Sequence, residues 1–116
     1  MTLEIKNYKH MKHLIAYITA PNRKEAESIS KSIIADRLAA CTNILDNMSA
    51  LFHWDNEVQS ENEVVLIAKT TAEAYPALED RVREQHSYDC PCIIALPVVA
   101  GNAEYLEWIE KEVKKP

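Results

Sequence analysis

Apolar residues recur at two different spacings along this chain, and the places where the spacing changes mark its elements. His13-Leu14-Ile15-Ala16-Tyr17-Ile18-Thr19 is an apolar run of strand-forming residues, too short for a helix and stopped by Pro21. It predicts a first, central strand. Asn22 followed by Glu25 reads as a capping box, after which Ala26, Ile29, Ile33, Ile34 and Leu38 fall at helical spacing. That pattern predicts a long amphipathic helix with its polar face in water.

Cys41 to Leu45 and Ser49 to Trp54 carry strand character, and Asp55-Asn56 tolerates the left-handed backbone that a tight hairpin needs. The return strand is expected over Glu63 to Thr70, where Val64-Val65-Leu66-Ile67-Ala68 is continuously apolar and points to burial on both faces. Thr70 with Glu73 predicts the cap of a second helix, on which Tyr75, Leu78, Val82 and His86 share one stripe. His86 then lies on the inner side of the helix end. Ile93 to Val99 reads as the fourth strand, placed at an edge by Pro97. Gly101-Asn102 opens a short last helix carrying Tyr105, Leu106, Trp108, Ile109 and Val113.

Two strand-helix-strand units in this order predict an antiparallel four-stranded sheet covered on one face by two helices. The fold class expected is α+β, a ferredoxin-like βαββαβ plait with an added C-terminal helix. An apolar sheet face left open by that arrangement needs another subunit to bury it, so an oligomer is expected.

With 116 residues the chain fits one domain, expected over residues 11–116, with the polar stretch Met1 to His10 as a loose N-terminal extension. A formal net charge of -5 and scattered basic residues argue against a nucleic-acid partner, whose backbone needs clustered Lys and Arg. No apolar run approaches the roughly 20 residues that cross a bilayer, and Met1 to His10 contains no signal-like apolar stretch. No membrane association is expected, and the location expected is cytoplasmic, where the three cysteines stay reduced. A single glycine cannot supply a phosphate-cradling loop, and no nucleophile elbow or paired catalytic carboxylate motif is present, so no enzymatic activity is expected.

The densest chemistry is His86-Ser87-Tyr88-Asp89-Cys90-Pro91-Cys92. Thiolate and neutral imidazole are ligands for copper(I), zinc and similar ions. Alternation along a strand puts Cys90 and Cys92 on one face, with His86 approaching from the helix end and Cys41 or a residue of a neighbouring subunit completing the set. The competing reading makes the thiols small packed hydrophobes and His86 a helix-end residue bonded to a backbone carbonyl. Cys90 and Cys92 could also close a labile disulfide, as in a thiol oxidoreductase. Cys41, following Ala39-Ala40, reads first as packing.

Several strings occur in one order from about Met11 to Val113. They are Thr19-Ala20-Pro21, Leu38-Ala39-Ala40-Cys41-Thr42-Asn43-Ile44, Trp54 with Glu61, Glu63, Lys69 and Thr70, then His86, Tyr88 and Pro91, Leu96-Pro97-Val98, and Gly101-Asn102 with Tyr105-Leu106 and Trp108-Ile109. Together they resemble the CutA family of divalent-cation tolerance proteins. The resemblance implies a ferredoxin-like fold in a tight homotrimer, with long hairpin strands pairing across subunits. It further implies an intersubunit cleft lined by Trp54, Glu61, Glu63, Lys69 and Tyr88, binding of copper or another divalent ion, a role in the response to metal ions, and an unidentified protein partner. The family's trimer is similar to that of PII signalling proteins, which leaves a second expectation open: a signalling trimer with a small molecule in the cleft.

The chain departs from the family pattern at four places. Asn56 stands where Gly is usual, and Asn is the next residue best able to take positive φ. Phe52 replaces a usual Tyr. Cys92 stands where a Glu usually follows the proline, and Cys90 where an aliphatic residue or Thr is common. A thiol in place of a carboxylate predicts a preference for softer ions. Glu61, Glu63 and Lys69 read alternatively as a solvated edge with an intersubunit ion pair, Trp54 as an interface anchor rather than a ligand-stacking surface, and His53 as a secondary metal candidate.

Overall fold

Alternation along β1 (His13–Ala20) decides the two faces of the sheet. Leu14, Ala16, Ile18 and Ala20 are buried toward the helices, while His13, Ile15, Tyr17 and Thr19 point to the second face. The structure, a computed structural model, describes residues 11–115, and the extension expected over residues 1–10 lies outside them. β1 pairs antiparallel with β3 (Glu57–Thr71) on one side and β4 (Ile93–Pro97) on the other. With β2 (Cys41–Trp54) beyond β3, the order is β2-β3-β1-β4. The two continuous apolar runs thus take the two central places, and the strand containing Pro97 takes an edge, where a missing N–H costs no ladder bond.

α1 (Arg23–Ala35) starts at Asn22, whose Oδ1 accepts from the Glu25 amide at 2.8 Å. Only this half of the expected capping box forms, because the Glu25 carboxylate turns to Ser87 instead. Ala26, Ile29 and Ile33 are buried, and Arg37, in the left-handed region at φ 54°, reverses the chain so that Leu38 is buried beyond the helix end.

α2 (Tyr75–Gln85) corrects the expected cap. Thr70 pairs with Leu14 inside β3 and is fully buried, its hydroxyl donating to the Leu38 carbonyl at 2.6 Å. The amide of Ala74, the N-cap residue, donates instead to Thr71 Oγ1 at 3.2 Å. The strand pattern simply runs one residue further than the cap motif allows. Tyr75, Leu78, Val82 and His86 are buried along the expected stripe. With Ile29, Ile33, Leu14, Ile18 and Leu66 these side chains form the core between the helices and the sheet, each fully buried aliphatic contributing roughly 1.5–3 kcal/mol.

The β2-β3 hairpin is longer than its sequence indicates. Pairing runs from Cys41↔Lys69 to Trp54↔Glu57, closed by Asp55 and Asn56 at φ 52° and 63°, the two left-handed residues of a type I′ turn. The return strand therefore begins at Glu57, not Glu63. Between Leu45↔Val65 and Met48↔Glu63, Asp46 and Asn47 stand opposite one residue, a bulge with Asn47 at φ 58°.

α3 (Ala103–Glu112), capped by Asn102 Oδ1 on the Tyr105 amide at 3.1 Å, packs Ile109 and Val113 against Ala74. It reaches the second face where β1 begins, through His13 Nε2 at 2.9 Å from Glu110 Oε2 and Lys69 Nζ at 3.1 Å from the Tyr105 hydroxyl. Further along that face Ile94 and Leu96 of the edge strand remain 52% and 51% exposed.

Candidate functional site

The end of the second face away from α3 carries a cleft, and its shape begins with His86. His86 is the C-cap residue of α2, its amide donating to the Val82 carbonyl, and its side chain is fully buried at 0% exposure. Its Nε2 lies 2.7 Å from the Thr19 carbonyl, and its Nδ1 lies 3.1 Å from the Tyr88 amide. A carbonyl only accepts and an amide N–H only donates, so in these two contacts Nε2 is the donor and Nδ1 the acceptor, with Glu25 Oε2 3.5 Å from Nδ1. Glu25 Oε2 accepts from the Ser87 amide at 3.2 Å and the Ser87 hydroxyl at 3.0 Å, holding the same turn from the α1 side.

This turn carries Tyr88 over the sheet, its ring 4.8 Å from the His86 ring and its hydroxyl donating to Glu63 Oε2 at 3.0 Å. Burial, with the hydrogen bond to the Glu63 carboxylate second, pushes the Tyr88 phenol up to about 12. Tyr88 therefore stays a donor at neutral pH. Tyr17, Thr19 and Glu63 form the floor of a cleft of about 1020 Å³, with the hairpin residues Met48 to Phe52, Trp54 and Glu61 on one wall and Ser87 to Cys90 with Cys92 on the other.

Trp54, Glu61, Glu63 and Tyr88 line this cleft of the single chain. Lys69 lies elsewhere in the same chain. It shares the face of Glu63 but lies six residues along β3, roughly 20 Å away, and is held by α3. The Tyr105 hydroxyl beside it raises the pKa of its ammonium. Cys41, opposite Lys69, sits half-buried at that same distant end.

Cys90 and Cys92 are free, exposed and together on the cleft wall. β4 begins only at Ile93, so strand alternation does not orient the pair. Cys92 is anchored by its carbonyl, which accepts from the Thr19 amide at 3.3 Å. His86 is not brought to them with a nitrogen to spare, and among the described residues no three His, Cys, Asp or Glu side chains converge on one metal position. At that wall the chain offers two thiols and no third converging donor among the described residues. Glu25 and Tyr17 enter the site without a local motif. The first looks like a capping residue and the second like one member of a strand run.

The family model for the CutA1 divalent ion tolerance protein matches residues 14–112. The chain is 40% identical over 97 residues to the divalent-cation tolerance protein CutA of Thermus thermophilus, covering 84% of this chain and 94% of that one. Among solved structures, CutA1 from Oryza sativa aligns at a TM-score of 0.88 and 36% identity, covering 91% of this chain and 97% of that one. The periplasmic divalent cation tolerance protein CutA from Archaeoglobus fulgidus aligns at 0.85 and 39% identity, covering 88% and 99%.

Proposed function

The chain belongs to the CutA1 divalent ion tolerance family, and from that premise we propose that it is a homotrimer that takes up a soft metal ion, copper(I) above all, on Cys90 and Cys92. It acts in the response to metal ions by coordination rather than catalysis. The observation that carries this reading is that both thiols are free, exposed and on the wall of one cleft. Thiolates select copper(I), and two of them suffice to hold it, while a neighbouring subunit can add donors. His86 Nδ1 becomes a third ligand only by giving up the Tyr88 amide. Three free cysteines suit a reducing compartment such as the cytoplasm.

The trimer is supported by the open second face, where Leu45 on one edge strand and Ile94 and Leu96 on the other are exposed, and by Leu51 and Val58 on the protruding hairpin. Native mass spectrometry during titration with copper(I) and zinc, on the wild type and on Cys90→Ser/Cys92→Ser, tests the proposal. The wild type should take up copper(I) and the double variant should lose that uptake. Equal binding by both contradicts the assignment.

The size of the cleft favours a second reading. About 1020 Å³ is room for a small organic molecule, so a PII-like signalling trimer, in which a cleft ligand alters binding of a protein partner, also fits this geometry.

A further inference from the structure

The Tyr88 amide is held by His86 Nδ1, and the Cys92 carbonyl is held by the Thr19 amide. Between these two anchors the backbone of Asp89, Cys90 and Pro91 makes no hydrogen bond among the described residues. Both ends of the segment are pinned and its middle is not. In a regular strand, residues two apart have Cα atoms about 6.6 Å apart, at the upper limit of the span a disulfide bridges, and the ladder holds them there. Cys90 and Cys92 precede that ladder, which begins at Ile93. Pro91 fixes its own φ near about −65°, so the rotation that closes the gap falls on the unpinned bonds around it and leaves β4 and the His86 turn in place. Both thiols are free, and Cys41 lies opposite Lys69 at the other end of the sheet. A sulfenic acid formed on Cys90 or Cys92 therefore has one resolving thiol in its own chain, the other member of the pair. The pair is complete within one chain, whatever a neighbouring subunit adds to the cleft. A one-residue spacer closes a small, strained ring, and strained disulfides are the readily reduced ones.

We propose that Cys90 and Cys92 form a reversible redox gate on the metal site: a peroxide converts them to an intramolecular disulfide that does not take up copper(I), and a dithiol reductant restores them. The thiolate of one cysteine attacks a peroxide oxygen, the O–O bond breaks, and the departing hydroxide takes up a proton to become water. The second thiolate then attacks the sulfenic sulfur, forming the S–S bond as the S–O bond breaks and a second water leaves. Two thiols and one hydrogen peroxide thus give one disulfide and two waters, the sulfur pair losing the two electrons that the peroxide gains. The disulfide leaves no thiolate for a soft ion. The gate rests on the copper(I) reading and adds a regulation of that same site.

The test treats metal-free, full-length protein with one equivalent of hydrogen peroxide, then applies thiol alkylation under denaturing conditions, peptide mass mapping and copper(I) titration. The titration is repeated after reduction with dithiothreitol and its removal. The expected result is one alkylated thiol per chain, Cys41, in place of three, with the peptide spanning Cys90 and Cys92 lighter by two hydrogens. Copper(I) uptake should fall at least tenfold and return on reduction. In a protein whose reduced form takes up copper(I), a sulfinic or sulfonic acid at either cysteine, a disulfide between chains, or no oxidation at all overturns the gate alone. A reduced protein that takes up no copper(I), or uptake that an intact Cys90–Cys92 disulfide leaves unchanged, overturns the copper(I) reading together with the gate.

Discussion

The Tyr88 hydroxyl donates to Glu63 Oε2 at 3.0 Å, and that single bond ties the turn after α2 to the middle of the β2-β3 hairpin. The raised phenol gives the bond a pH signature. A tyrosine whose folded pKa lies above its unfolded value keeps its proton in the native state after the unfolded chain has released it. The stability it contributes is complete below about 10 and is lost as pH rises through about 12. Ultraviolet tyrosinate titration should show Tyr88 titrating late, and Glu63→Gln should lower its pKa without restoring 10.0, since burial is the larger cause. An unchanged late phase in Glu63→Gln would show that Glu63 takes no part.

His86 holds the turn from beneath. His86→Ala leaves the Thr19 carbonyl and the Tyr88 amide without their buried partner and opens a cavity beside Val82. Each loss of this kind costs on the order of 1–3 kcal/mol, so urea unfolding should show a destabilisation of roughly 2–4 kcal/mol. A change below about 0.5 kcal/mol, the size of an ordinary surface substitution, would mean that the turn does not depend on the ring.

Asp36 joins three parts of the chain at the end of α1. Arg81 Nη2 lies 2.6 Å from one carboxylate oxygen and Lys114 Nζ 3.4 Å from the other. The Arg81 hydrogen bond first, and Lys114 second, hold the carboxyl below its ordinary 3.8. A depressed folded pKa gives stability that is present above 3.8 and lost as pH falls through the lower folded value. Asp36→Asn should therefore unfold with a shallower acid limb than the wild type in acid-titration circular dichroism. Identical acid limbs would remove Asp36 from the acid response.

Ile94 and Leu96 are half exposed on the open face of the edge strand. Placing a charge at each, as Ile94→Lys/Leu96→Lys, should convert the proposed trimer to monomers in size-exclusion chromatography with light scattering. The secondary structure should be retained, because neither side chain belongs to the core under the helices. A trimer that survives both substitutions would move the interface elsewhere.

The fold was legible wherever burial was one-sided or complete. The Leu14-to-Ile18 and Val64-to-Ala68 runs announced two central strands, and Tyr75, Leu78, Val82 and His86 announced the inner face of α2. The outer hairpin was not legible. From Leu51 to Asn62 nearly every residue is exposed on both sides of the ribbon, so no alternation marks the strands, and only Asp55-Asn56 betrayed the turn. Thr70 illustrates a local motif losing to pairing: a Thr three residues before Glu73 looks like a cap until β1 claims it. At the site, Trp54, Glu61, Glu63 and Tyr88 were named through family resemblance, but the Tyr88–Glu63 bond and the Glu25–Ser87 contact join residues 25 and 62 positions apart. Periodicity carries no information at that range. It also could not reveal that both nitrogens of His86 meet backbone groups, with Glu25 beside Nδ1.

The soft-metal assignment is most directly tested by an anomalous-scattering difference map from crystals soaked in copper(I). A peak should appear in the cleft within bonding distance, about 2.3 Å, of the sulfurs of Cys90 and Cys92. Copper found only at Cys41 or His53, or absent from Cys90 and Cys92 in a crystal that binds it elsewhere, would contradict the assignment.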